Sequence, residues 1–222
     1  MVRAKWQAWQ PEIGLSLAVF ATTFLTYLLT MPPGLTWAFD GGDGGELITA
    51  AATLGVPHPP GYPTYVLLGH LVSAIPVGTA ALRFNMYSAA CAAAAAAVLA
   101  LACFSWAESS HIVRHPRAAA FSAALMAFLA PAIWQQAITA EVYALNLLLV
   151  SLLLLALLKR SAHWTGLAAG LALTTHLTSA FLLLLIPFFI PRSRWKSLFV
   201  SFLIGSLPWL ALPFLARTHS PV

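Results

Sequence analysis

Charge is what this sequence has least of. Of its 222 residues only 8% are Asp, Glu, Lys or Arg, against about 25% in a soluble globular domain. A chain so poor in charge, and 60% hydrophobic, belongs in a bilayer: it reads as an integral membrane protein. Cysteine is scarce too. Cys91 and Cys103 both sit in an apolar stretch and read as small buried hydrophobes, which excludes a disulfide framework. HExxH, CxxC, P-loop and GxSxG patterns are absent, so zinc-peptidase, dithiol, P-loop and serine- or cysteine-nucleophile schemes have no support. No internal repeat is visible, which argues against a repeat-built transporter. The net charge of +5 is spread over short basic clusters between apolar runs. That is the pattern of topology signals rather than of a nucleic-acid surface. No signal peptide with a cleavage site is evident. The first apolar run, Ile13 to Met31, is long enough to span and stay.

The few acids are unevenly placed. Three of the six, Asp40, Asp43 and Glu46, fall in the stretch Gly34 to Tyr65. They are spaced three apart, about one helical turn between neighbours. Four glycines beside them let the backbone pass close to a ligand. The run His58-Pro59-Pro60-Gly61-Tyr62-Pro63 then enforces a rigid, extended turn. Either this is a solvated loop between two spans, where acids are harmless, or it is the working part of the chain. Function concentrates on ordered loops, which favours the second.

The remaining chain divides into apolar runs. After a basic, aromatic N-terminus (residues 1–12), Ile13 to Met31 spans and Pro32-Pro33-Gly34 ends it. Thr64 to Pro76 is too short to span and suits an interfacial or re-entrant helix. Phe84 to Trp106, alanine-rich, spans; so does Ala118 to Ile138, broken at Pro131. Glu141 stands at the mouth of Ala144 to Leu158. His163 to Ile190 is either one long span or two half-length helices meeting at Thr174-Thr175-His176-Leu177-Thr178. Leu198 to Leu215 is last. If Thr64 to Pro76 stays outside and His163 to Ile190 enters and returns, nine of the eleven basic residues are cytoplasmic. The expectation is an all-α polytopic membrane protein in a single transmembrane domain with about seven inserted helices. An external acidic loop and interfacial helices occupy 32–83 and a helical bundle 84–217. The protein would lie in the plasma or inner membrane, among membrane lipids, with the acidic loop outside.

This arrangement collects Asp40, Asp43, Glu46, Glu141, Arg83, His58, His70 and His176 on one face. A carboxylate held among others can serve as a general base near neutral pH. Arg83 departs from the charge rule, so it is a candidate phosphate holder, or else an ion-pair partner of Asp40 or Glu46. Glu141 starts a helix, where an acid also meets the helix dipole. His176 lies at a helix break, which borders a cavity or satisfies freed backbone groups. His70, on an apolar helix face, reads as structural. Asp43, Glu46 and His58 are possible ligands of a divalent cation, though their spacing matches no specific motif.

The strings GGDGGELITAAATLGVPHPPGYPTY, RFNMYSAACAAA, ITAEVYALN and GLALTTHLT, in this order between Gly34 and Thr178, resemble a membrane-protein family formerly of unknown function. It is placed among the GT-C glycosyltransferases and includes a vertebrate transmembrane protein O-mannosyltransferase. The resemblance implies transfer of a sugar from a polyprenyl-phosphate donor to a protein or glycan hydroxyl on the outer membrane face, with inversion. The family's D-x-G-E falls on Asp43, Gly45 and Glu46. Asp43 would be the base and Glu46 would orient it. His58, Arg83 and His176 would border the donor phosphate, and Glu141 would hold sugar or acceptor hydroxyls. Relatives are generally longer, so the alternative is a non-catalytic small subunit of a larger membrane complex that keeps a truncated GT-C core.

Overall fold

The structure, a computed structural model, describes residues 2–35 and 42–218. Asp40 therefore lies outside the described residues. Among the described residues the chain is helical, with no strand. In order come α1 (Val2–Thr30), α2 (Gly44–Thr53), α3 (Pro63–Ser73), α4 (Ala80–Ser110), α5 (Pro116–Phe128), α6 (Pro131–Ala137), α7 (Val142–Leu158) and α8 (Ala162–Thr175). A 3₁₀ segment (Leu177–Leu185) leads into α9 (Ile186–Phe189), and α10 (Trp195–Gly205) and α11 (Leu212–Thr218) come last.

Three stretches are long and apolar enough to cross a membrane: Ile13–Thr30, Ala80–Ser110 and Arg192–Ala216. A fourth is reached if α5 and α6, bent by 72°, form one broken span. The bend falls at Pro131, where the sequence places it, because proline removes a helix hydrogen bond and excludes the helical conformation just before it. α7 and the run Leu177–Phe189 are apolar but shorter. Among the described residues, length and apolarity alone thus give three to four candidate spans; the other helices of the expected seven are too short to count on that ground.

α4 is the central post. Ala92, Ala93, Ala95, Ala96 and Ala100 are fully buried, and α1, α5 and α7 pack against it. Small side chains matter here because lipid supplies no hydrophobic drive between helices, so association rests on close van der Waals contact. α8 meets α10 closer still, through Gly166, Gly170 and Gly205. α8 ends at the threonine run. Thr174 Oγ1 donates to the Gly170 and Leu171 carbonyls, and Thr175 Oγ1 to Leu171 O at 2.8 Å. These hydroxyls bond back to carbonyls that the helix's own amides already use, a pattern that weakens and bends a helix near its end. Beyond the break the chain forms a nine-residue 3₁₀ run rather than a second half-length α-helix, and the run is longer than such segments usually are.

Candidate functional site

Two helix starts meet at one end of the bundle. Leu47, Ile48 and Ala51 of α2 share a buried cluster with Tyr62 and Tyr65, with Phe84 of α4, and with Ala140, Val142 and Ala144 around the start of α7. The approach is close: a Cβ on Gly44 would lie 3.2 Å from the Ala140 carbonyl oxygen. Residue 43 is therefore held beside residue 141, although 98 positions separate them in sequence. Buried Asn85 anchors the incoming chain by donating to the Pro32 and Gly34 carbonyls at 3.0 and 3.3 Å. Thr64 and Thr174 hydroxyls, 2.6 Å apart, tie α3 to α8.

On this platform sit Asp43, Glu46, His58 and Glu141. Asp43 precedes α2, yet its side chain makes no cap hydrogen bond. Its Oδ2 lies 3.9 Å from His58 Nε2, and the side chain is 57% exposed. Glu46 is committed instead. Its Oε1 accepts the His58 backbone N–H at 2.6 Å, and its Oε2 meets His58 Nδ1 at 2.9 Å. Nε2 of the same ring lies 2.9 Å from the Tyr62 hydroxyl. A neutral His58 thus donates from Nδ1 to Glu46 and accepts the Tyr62 O–H at Nε2. Tyr62 holds φ 40° and ψ 51° at the N-terminus of α3, a left-handed conformation that costs a bulky residue on the order of 1–2 kcal/mol. Its ring stacks on His176 at 6.0 Å, and Tyr143, from the first turn of α7, closes on His176 at 5.2 Å.

These contacts shift the protonation equilibria. The hydrogen bond to His58 holds Glu46 below its ordinary 4.5, and the same bond raises His58 above 6.5. His58's share of the pair's stability is complete below 6.5 and fades as pH rises through its raised value. Glu46's share is present above 4.5 and fades as pH falls through its lowered value. Both side chains are more than a third exposed, so the pair contributes only about 0.2–1 kcal/mol. Glu46→Gln is expected to return the His58 titration toward 6.5, which a histidine-labelled NMR titration would measure; an unmoved titration would contradict the bonded geometry.

Glu141 behaves in the opposite way. Burial first, and then the charge of Asp43, push it up to about 7, with the Val142 amide and His58 offsetting part of the rise. A carboxyl raised from 4.5 in the unfolded chain to about 7 in the fold loses stability as pH climbs between those values, because the folded state resists ionising it. Glu141→Gln is expected to remove that slope, leaving the variant more stable than the parent at pH 8, by about 1 kcal/mol after solvent screening, and similar at pH 4. Thermal unfolding in detergent at the two pH values checks the sign.

Asp43, Glu46, His58 and Glu141 are thus brought together, and His176 joins them through Tyr62. Arg83 is not part of this network. Its guanidinium donates to the Val77 and Gly78 carbonyls at 3.2 and 3.1 Å, and no ion pair to Glu46 forms. His70 bonds the Ala51 carbonyl at 2.9 Å, joining α2 to α3, which fits a structural role. Tyr62 and Tyr143 are site residues that sequence reasoning misses. Tyr62 stands there only as part of a proline turn, though a bulky residue wedged between Gly61 and Pro63 is a visible signal. Nothing in sequence marks Tyr143.

Asp43, Glu46 and His58 each offer a ligand atom within 4.8 Å of the others. Two carboxylates and an imidazole suit a divalent cation, provided His58 Nε2 exchanges the Tyr62 hydroxyl for the ion. Beside Glu46 a cavity of about 360 Å³ runs along α2, past Thr49, Thr53 and Val56.

Residues 43–198 match the family model described as the protein O-mannosyl-transferase TMEM260 N-terminal domain. The chain is similar to the protein O-mannosyl-transferase TMEM260 of Mus musculus, 36% identical over 221 residues, covering 89% of this chain and 30% of that protein. It is also similar to the protein O-mannosyl-transferase tmem260 of Dictyostelium discoideum, 32% identical over 139 residues, 61% of this chain and 16% of that one. The chain thus spans less than a third of the length of these curated relatives. No solved structure matches it.

Proposed function

The chain belongs to the family of the TMEM260 protein O-mannosyl-transferase N-terminal domain, and from that premise we propose that it is the catalytic membrane core of a glycosyltransferase. The donor is a sugar, mannose by the relatives' names, on a polyprenyl phosphate. The acceptor is a protein hydroxyl presented on the external face. The fold is a GT-C-type core in which α7, α8 and the 3₁₀ run are also inserted, giving about seven membrane elements. The observation that carries the reading is the meeting of Asp43, Glu46, His58 and Glu141 at one end of a helical bundle in this family.

The chemistry is a single displacement. Asp43, exposed and uncapped, takes the acceptor hydroxyl's proton. The acceptor oxygen bonds to the anomeric carbon as the carbon–phosphate-oxygen bond breaks, and the electron pair leaves with the phosphate. A phosphate leaves without a protein acid, so one base suffices, unlike paired-carboxylate hydrolases. Glu46 and His58 fix the loop that presents Asp43. Glu141, about half neutral at pH 7, donates to a sugar or phosphate oxygen. His176 borders the donor with Tyr62, and Arg83 supports the loop that frames it. Where a divalent cation binds, Asp43, Glu46 and His58 would hold it, and it would supply charge to neutralise the departing phosphate.

The test offers membranes carrying the chain a protein acceptor with either a polyprenyl-phosphate sugar or a nucleotide-linked sugar. Transfer from the lipid donor alone supports the reading. Transfer from the nucleotide sugar would overturn the donor assignment. Unchanged glycans in an Asp43→Asn background, with the chain co-migrating with unrelated large subunits, would favour a non-catalytic subunit instead.

A further inference from the structure

An apolar groove lies away from the acids. It runs between α7 and α8, has a volume of about 420 Å³, and is walled by leucines and alanines, among them Leu152 and Leu155. One end is different: Lys159, Ser161 and Trp164 line it. From Leu149 to Lys159 the groove follows ten residues of helix, about 15 Å. That is half of the roughly 30 Å hydrocarbon core, the depth of one leaflet and hence of one acyl chain.

The polar end is assembled from separate parts of the chain. Lys159 and Arg160 form the α7–α8 turn. Arg194 reaches back to it, its guanidinium donating to the Arg160 carbonyl at 3.1 Å, so another cation stands beside the turn that carries Lys159 and Arg160. Ser161 starts α8 without using its hydroxyl as a cap, and Trp164, 60% exposed, is the side chain that bilayer–water boundaries favour. We propose that this groove holds one acyl chain of an anionic glycerophospholipid, with its phosphate against Lys159, Arg160 and Arg194.

The polyprenyl donor fits this place poorly. α7 carries Glu141 at its start and Lys159 at its end, so roughly 25 Å of helix separates the two. A phosphate at Lys159 is therefore on the far side from the acids. Charge complementarity selects an anionic head over a zwitterionic one, because basic residues at a membrane surface attract anionic lipid.

Trp164 supplies the probe. The whole chain is reconstituted in bilayers containing phosphatidylglycerol or phosphatidylcholine with brominated acyl chains, and fluorescence is compared with that of Trp164→Phe to isolate one of eight tryptophans. The Trp164 component is expected to be quenched at about a tenth of the mole fraction with the anionic lipid. The triple variant Lys159→Ala/Arg160→Ala/Arg194→Ala, all surface changes, should abolish that preference while leaving quenching by phosphatidylcholine. Equal quenching by both lipids in the parent chain overturns the proposal, because the lipid is then an unspecific neighbour. So does displacement of brominated phosphatidylglycerol by polyprenyl phosphate at equal concentration, which would give the groove to the donor's tail. Neither readout depends on sugar transfer.

Discussion

Asp43→Asn is expected to lower sugar transfer by two to four orders of magnitude while leaving the protein folded. The size comes from the contribution of a positioned general base, roughly 10²–10⁴-fold. The intact fold comes from the surroundings of Asp43. Its carboxylate is exposed, makes no cap hydrogen bond, and stands 3.9 Å from His58, so the isosteric amide disturbs little packing. Initial rates with saturating lipid donor, beside a melting curve of the same preparation, separate the two effects. Transfer within a few-fold of the parent would remove Asp43 as the base. The pH profile then identifies the successor. Were Glu141 the base, activity would fall below about pH 7, where it protonates; if instead it donates from its neutral form, activity falls above that pH. Glu141→Gln would keep activity in the second case and lose it in the first.

The second large effect concerns stability. Gly170→Leu is expected to unseat α10 from α8 and lower the melting temperature in detergent by many degrees. A Cβ on Gly170 would stand 2.5 Å from the Phe202 carbonyl oxygen and 2.7 Å from the Gly205 carbonyl carbon. At Gly166 it would meet the Leu198 oxygen at 2.2 Å, and at Gly205 the Leu167 oxygen at 2.3 Å. These neighbours are backbone, so no rotamer change relieves the clash. Overpacking a fitted site costs about 1–3 kcal/mol and sometimes more; a leucine pressed against the α10 backbone belongs at the upper end. Gly14→Ala is the control. It lies in α1 with nothing within 4 Å of the added atom, and alanine should stabilise the helix there by up to about 1 kcal/mol. If both variants melt alike, the close α8–α10 contact is wrong.

Several features were legible in the residues alone. The scarcity of charge and the length of the apolar runs placed the chain in a membrane, because a backbone in lipid must satisfy its own hydrogen bonds and a long apolar run does so as a helix. Pro131 announced the bend between α5 and α6, while the threonines at 174, 175 and 178 left one long span and a break open, and the structure takes the break. The Asp43–Glu46 stretch stood out because acids are so rare elsewhere. The strings between Gly34 and Thr178 resembled the protein O-mannosyl-transferase family, whose N-terminal domain model the chain matches over residues 43–198.

Other features depended on distance in three dimensions, which sequence spacing does not encode. That Glu46 spends its carboxylate on His58, leaving Asp43 uncommitted, depends on how the proline turn folds back over α2. That Glu141 is raised to about 7 depends on packing the start of α2 against Ala140. Arg83 reads as an anion holder by its place in the charge pattern, yet its guanidinium turns to two loop carbonyls, because side-chain reach and local acceptors decide a cation's partner. Residue order was enough to set the solvent, the all-helical class and the family. Packing in three dimensions chose which polar groups neutralise one another and which stay available for chemistry, since that is settled by contacts between residues far apart along the chain.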